Sequence, residues 1–253
     1  MKTLGACRRV AGLYPPLFNG LWRMVYPRRR FAPVVAYVPT DRRKTFDTFF
    51  RTNVWGSSES VSGEGSTLLN TIPIRRVLPG LLRELGVKTM LDAPCGDFNW
   101  MSHVDLRGIH YIGGDIVPDL LRRVAAVHGG PGREFRDLDI LEDDLPPADL
   151  WLCRDVLIHF SDADAFRLLD RAARAPIRYL LTTYYDLNPR NVDINTGGYR
   201  PINLTAPPFN LPAPLRRIDD FLAPLQPHSM GLWSRAQLRQ ALGIEGDEPA
   251  PAS

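Results

Sequence analysis

The chain reads as an α/β protein built on a mostly parallel, twisted sheet with helices on both faces, and three observations predict it. Short apolar runs alternate with helical patterns between residues 87 and 183, which is the arrangement of successive βαβ units. The run VKTMLDAPCGDFNW, residues 87–100, carries its apolar stretch into an acid, Asp92, and turns through Pro94 and Gly96. A buried strand feeding the first loop of a βαβ unit has this pattern, and such loops receive nucleotide-like ligands at the carboxyl edge of the sheet. Three later acids keep a regular spacing: Asp115 stands 23 residues after Asp92, Asp139 24 after that and Asp155 a further 16. Each lies at or near a strand end, so the fold would gather them at one edge.

Taken in order, Phe46, Phe49 and Phe50 have the i, i+3, i+4 spacing of a helix face, and residues 55–66, WGSSESVSGEGS, form a loop of small residues. In that loop, backbone N–H groups and hydroxyls suit closure over an anionic group, and a plain structural turn is the competing account. A helix is expected from about Thr67 to Leu85, with Pro73 and Pro79 marking a start or a bend. Strands are expected at Lys88–Asp92, Ile109–Asp115, Glu134–Leu138, Asp149–Cys153 and Ile177–Thr183, with helices over Pro118–His128 and Asp162–Arg174. Residues 186–214 are rich in Pro, Asn and Gly and too long for an ordinary connection, so they read as a lid or substrate loop. Further β structure is expected around Arg216–Leu222 and Met230–Trp233, with a last helical stretch at Ala236–Leu242. The expected organisation is a basic extension at 1–44, a main domain at 45–243 with the 186–214 insertion, and a tail at 244–253.

Composition bounds the function classes. A chain of 253 residues with 44% hydrophobic and 23% charged residues can bury a sizeable core. The net charge of +3 hides an asymmetry, since residues 1–44 hold ten Lys/Arg and one acid, leaving 21 basic against 27 acidic residues beyond them. The basic, aromatic N-terminal stretch suits an anionic membrane surface or a partner. Pro15, Pro16, Pro27 and Pro33 interrupt any long amphipathic helix there, so a loosely ordered tail is the preferred expectation. No nucleic-acid interface is expected, because no basic stripe interleaved with aromatics follows the fourth strand. Cys7, Cys95 and Cys153 cannot all pair and have no metal-ligand spacing, which predicts reduced thiols, no metal site and a cytoplasmic protein. Leu4–Cys7 imitates a lipoprotein cleavage box, yet six residues before the cysteine are too few for a secretory signal.

Five stretches then occur in order from Trp55 to Pro212, about two thirds of the chain: WGSSESVSGEGS, LDAPCGDFNWM, YIGGDIVP, LCRDVLIH and TGGYRPINLTAPPFNLP. On these the chain resembles the class I S-adenosylmethionine-dependent methyltransferases, and most closely a bacterial subfamily with this wording. The resemblance implies a Rossmann-like fold, S-adenosylmethionine as cofactor, and methyl transfer to an oxygen or nitrogen of an unidentified acceptor, a small molecule or glycan-like compound. It implies cofactor contacts from Asp92, Cys95 and Gly96 on the first loop, from Asp115 and Ile116 at the ribose, and from Asp139 and Ile140 at the adenine. Glycines usually flank the central one in the first motif, and here Pro94 and Phe98 stand instead.

Asp155 and His159 follow the fourth strand, nearest the transferable methyl, and are the candidate bases if the acceptor arrives protonated. A structural histidine packed on the sheet is the plainer account of His159, since proximity alone accelerates such a displacement. For the cationic cofactor or a stacked acceptor the candidates are Trp55, Trp100, Tyr184 and Tyr185, whose rings could face such a group, and for the acceptor also Arg200, a bidentate donor beside two glycines. A structural salt bridge is the competing role for Arg200. An NAD-dependent oxidoreductase or epimerase is the alternative enzyme, because an acid after a glycine turn also suits NAD, but no GxGxxG follows the first strand. An inactive binding module on the same fold is the non-enzymatic alternative.

Overall fold

The computed structural model describes residues 19, 22–24, 41–223 and 225–246. Most of the basic N-terminal stretch, Cys7 included, and the tail from residue 247 lie outside the described residues.

Helix α1 (Arg42–Thr52) starts inside the stretch expected to be an extension, where Asp41 caps it by accepting the Lys44 N–H, and it ends at Asn53 in the left-handed region. Helix α2 (Ile72–Glu84) begins five residues later than Thr67. The threonines explain the delay: Thr67 Oγ1 donates to the Glu64 carbonyl and Thr71 Oγ1 to that of Thr67, which holds these residues in turns. Pro73 then occupies the first helical turn, where a missing N–H costs nothing.

The alternation expected from the sequence follows: β1 (Thr89–Asp92), β2 (His110–Asp115), α3 (Pro118–His128), β3 (Arg133–Asp137), β4 (Ala148–Cys153), α4 (Asp162–Arg174), β5 (Ile177–Tyr184), β6 (Arg216–Asp219), β7 (Ser229–Ser234) and α5 (Arg235–Ala241). The seven strands form one sheet in the order β3-β2-β1-β4-β5-β7-β6. Pairings are parallel from β3 to β5, with Leu91 opposite both Ile112 and Trp151, while β7 runs antiparallel between β5 and β6. This is a Rossmann-like fold, a mostly parallel sheet with helices on both faces.

Two apolar layers cover the sheet. On one side α4 and α5 pack Leu168, Leu169 and Leu238 against Trp151 and Trp233. On the other, α2 and α3 pack Ile74, Leu78 and Leu120 against Met90, Tyr111 and Leu150. Trp151, Trp233, Ile74 and Leu78 are fully buried, and each side chain of this kind contributes about 1.5–3 kcal/mol by leaving water. Strand order reverses between β1 and β4, so the carboxyl ends of these strands open a crevice where open α/β sheets bind ligands.

The described residues of the N-terminal stretch bond to the domain, while the expectations of a loosely ordered tail or a membrane contact for the rest of it lie outside the described residues. Asn19 donates to the Phe221 carbonyl at 2.6 Å, and Trp22 Nε1 donates to that of Leu225. Arg23 pairs with Asp186 and Asp219 at 2.8 Å each. The 186–214 segment is likewise knitted in, with Ile202, Leu204 and Phe209 buried and Asn191 and Asn203 bonding its backbone. Among the described residues no helix is long and apolar enough to cross a membrane, and no group of three or more His, Cys, Asp or Glu is placed to hold a metal. Cys95 and Cys153 are buried free thiols.

Candidate active site

A cavity of about 730 Å³ lies at the carboxyl edge, and residues from β1, β2 and α1, from the segment after β4 and from the loops at 55–66 and 220–228 line it.

Strand β1 delivers Asp92, buried, with the Tyr111 hydroxyl donating to it at 2.6 Å. Burial pushes its carboxyl up to about 7, with Asp115 adding to the rise and the Tyr111 bond opposing it. The next loop turns at Gly96, φ +56°, where a Cβ would stand 2.2 Å from Ser62 Oγ. That backbone must therefore stay bare, and the Ser62 hydroxyl accepts the Asp97 N–H at 3.2 Å. Phe98, standing where a glycine is usual, also takes a positive φ of 58°. Its ring sits against Tyr111 and Phe135 at 5.1 and 5.4 Å between centroids, and this packing holds a conformation that a bulky side chain rarely adopts.

Strand β2 ends in Asp115, buried, whose Oδ2 accepts the Gly96 N–H at 3.1 Å and whose Oδ1 accepts that of Val117 at 3.0 Å. A carboxylate has about four acceptor positions, so about two stay open for a ligand diol. Burial raises this carboxyl to about 6, against the pull of its backbone hydrogen bonds. Asp139 and Ile140 follow β3 and line the same end of the cavity. The Asp139 carboxylate already accepts the Leu141 N–H at 2.9 Å and Arg42 of α1 at 3.0 Å, so α1 is tied over this end.

Beyond β4, Arg154 and Asp155 face a cluster that sequence spacing does not show. Arg154 is buried and pairs with Asp220 at 2.7 Å and with Asp155 at 3.0 Å. Asp155 takes φ +57°; its N–H donates to Thr183 Oγ1 at 2.9 Å, and that hydroxyl donates back to its Oδ1 at 3.0 Å. Burial works to raise the Asp155 carboxyl, but Arg154, His228 and the Thr183 bond outweigh it and hold it below the usual range. His159 donates from Nδ1 to the Gly198 carbonyl at 2.7 Å, which leaves Nε2 unprotonated in the neutral ring. Burial depresses its pKa, so the ring is neutral near pH 7. Trp55 lies 4.7 Å from it, ring to ring.

The cavity thus brings together Asp92, Cys95, Gly96, Asp115, Ile116, Asp139 and Ile140 at one end and Asp155, His159 and Trp55 at the other. Cys95 contributes position rather than reactivity, because burial raises its thiol pKa well above the ordinary value. Two expected acceptor residues do not join the cavity. Tyr184 is buried edge-on against Trp233 at 5.3 Å; Tyr185, whose side chain faces the opposite way along the strand, takes the lining place instead. Arg200 is 1% exposed, paired with Asp162 and donating to the carbonyls of Phe160 and Val192, and so fastens the 186–214 segment to the start of α4. Arg42, Asp220, Phe221 and His228 line the cavity without a signal in the sequence, whereas Ser62 and Tyr199 belong to the 55–66 and 186–214 segments that the sequence singles out.

No protein-family model and no curated protein sequence matches the chain. Solved structures do match in fold. The magnesium protoporphyrin IX methyltransferase from Synechocystis PCC 6803 with bound SAM is 14% identical, covering 79% of this chain and 100% of its own, at a TM-score of 0.52. The 1,6-didemethyltoxoflavin-N1-methyltransferase of Burkholderia thailandensis, with S-adenosylhomocysteine bound, is 15% identical over 83% of this chain and 96% of its own, also at 0.52. The N-methyltransferase NodS from Bradyrhizobium japonicum WM9, in complex with S-adenosylhomocysteine, is 13% identical over 75% and 97%, again at 0.52. By its sheet order and by these neighbours, the chain carries the fold of the S-adenosylmethionine-dependent methyltransferases.

Proposed function

We propose that the protein is a methyltransferase that binds S-adenosylmethionine across this cavity and methylates an oxygen or nitrogen of a small molecule, in the cytoplasm. The observation that carries the reading is Asp115: a buried carboxylate at the strand end beside the crossover, steadied by two backbone N–H groups with acceptor capacity left over. A vicinal diol satisfies that remainder, and each charged hydrogen bond of this kind contributes about 1.5–3 kcal/mol. The rest of the cavity fits the same cofactor. Asp92 suits the ammonium of its amino-acid part, the bare backbone at Gly96 permits close approach, and Asp139 with Ile140 suits the adenine.

When bound, the cofactor supplies an electrophilic methyl on a cationic sulfur. The chain's own groups would do the rest. Asp155, kept ionised by Arg154, places negative charge at the reacting end, and Arg42, α1 and the 55–66 loop close the site from above. His159, its tautomer fixed by Gly198, offers Nε2 to take the acceptor's proton.

Isothermal titration tests the reading. Asp92 and Asp115 have raised carboxyl pKa values of about 7 and about 6 in the free protein, and a cation and a diol favour their ionised forms. Binding is therefore expected to tighten as pH rises from about 5 to 8 and to release protons near pH 6.5, seen as heats that vary with buffer ionisation. The absence of binding at millimolar S-adenosylmethionine, or proton uptake in that window, contradicts it.

A further inference from the structure

The acceptor end of the cavity has a charge imbalance and an orphaned atom. Among the described residues that line the cavity, the guanidinium groups are Arg42 and Arg154, and both are committed: Arg42 to Asp139 and Glu142, Arg154 to Asp220 and Asp155. An acceptor bearing a carboxylate or phosphate would meet no open cation there. Two carboxylates, Asp155 and Asp220, share the one Arg154. Asp220 is 1% exposed and lines the cavity, yet only its Oδ2 is bonded; Oδ1 has no hydrogen-bond partner among the described residues. A buried carboxylate oxygen in that state is expensive unless something donates to it.

Aromatic rings line the same cavity. The Tyr185 ring stacks on His228 at 5.1 Å and 27°, the Phe221 ring lies 6.2 Å from His228, and Tyr199 and Trp55 flank His159. Ring faces attract cations, and flat walls exclude water from a charge placed between them.

We infer that the methyl acceptor is an amine, whose N–H group donates to Oδ1 of Asp220 between these rings. The inference rests on the methyltransferase reading of the same cavity and adds the acceptor's chemical class to it. A neutral alcohol would supply a donor without answering the charge, and an acid would be repelled. For such an acceptor the ammonium gives one proton to Nε2 of His159. The freed nitrogen lone pair would then be the nucleophile toward the methyl that the cofactor would supply, the sulfur keeping the electron pair of the bond it loses and the methylated nitrogen taking up the positive charge.

Three probes of one size separate the possibilities: benzylamine, benzyl alcohol and benzoate, each titrated by ligand-observed NMR into the full chain saturated with S-adenosylhomocysteine. Benzylamine is expected to bind at least tenfold more tightly than either of the others. Asp220→Asn is expected to remove most of that preference while leaving S-adenosylhomocysteine affinity within about twofold. Benzyl alcohol or benzoate binding as well as benzylamine overturns the inference, as does failure of benzylamine to bind at millimolar concentration. The wild-type series decides the matter even if Asp220→Asn, which strips a buried ion pair of one charge, does not fold. Failure to bind S-adenosylhomocysteine itself would instead overturn the methyltransferase reading beneath.

Discussion

Replacing Asp115 with alanine is expected to weaken S-adenosylmethionine binding by 100-fold or more. The substitution removes both acceptor positions left for the ribose hydroxyls, and two charged hydrogen bonds at about 1.5–3 kcal/mol each amount to at least that factor. It also leaves the Gly96 and Val117 N–H groups without their acceptor, so the first loop loses its brace beside the cofactor. S-adenosylhomocysteine should lose as much as S-adenosylmethionine, because the contact is to the ribose and does not involve the methyl. Titration of both ligands checks this, and an unchanged affinity for either would remove Asp115 from the site.

The second large effect is a trade between binding and stability at Asp92. Its folded-state pKa of about 7 lies above the value of an ordinary Asp, so the protonated form is the one that the fold favours. The stability this brings is fully present below the unfolded pKa and is lost as pH rises through about 7. Asp92→Asn imitates the protonated acid and can still accept from the Tyr111 hydroxyl. At pH 8 the variant should therefore melt several degrees above the wild type, a gain on the order of 2 kcal/mol, and the difference should shrink towards pH 5. The same variant should bind S-adenosylmethionine poorly, because a neutral amide does not answer an ammonium. Thermal melts at the two pH values with a parallel titration test both halves; a variant that is less stable at pH 8 would contradict the buried, strained carboxylate described here.

The parts of the fold that sequence reading reaches are those governed by local pattern. Near-continuous apolar runs in β1, β2 and β4 mark strands covered on both faces, and regular spacing puts Asp92, Asp115, Asp139 and Asp155 at or near strand ends, where they line one cavity. Helix bounds follow where caps are local, as at Pro118 and Asp162, and slip where side chains compete with the helix, as with Thr67 and Thr71. Residues whose role depends on distant chain are not legible in this way. Asp220 and His228 reach the cavity because β6 and β7 fold back beside β5, and Arg42 because α1 crosses to Asp139. Tyr184 and Tyr185 are neighbours in sequence, and only strand orientation decides which of them faces the ligand. Arg200 carries the side chain of an anion binder, but the partners that bury it, Asp162 and Phe160, come from the connection between β4 and β5, a whole strand earlier in the chain. The first motif shows the reverse case: Phe98 departs from the usual glycine, and aromatic packing keeps the loop in the glycine-like conformation.

The most direct measurement is a crystal structure of the full chain with S-adenosylhomocysteine bound. The nucleoside is expected within the cavity at the carboxyl edge, its ribose hydroxyls hydrogen-bonded to Asp115 and its sulfur directed toward Asp155 and His159. Density for the nucleoside outside this cavity, or inside it with the diol turned away from Asp115, would rule out this cofactor site.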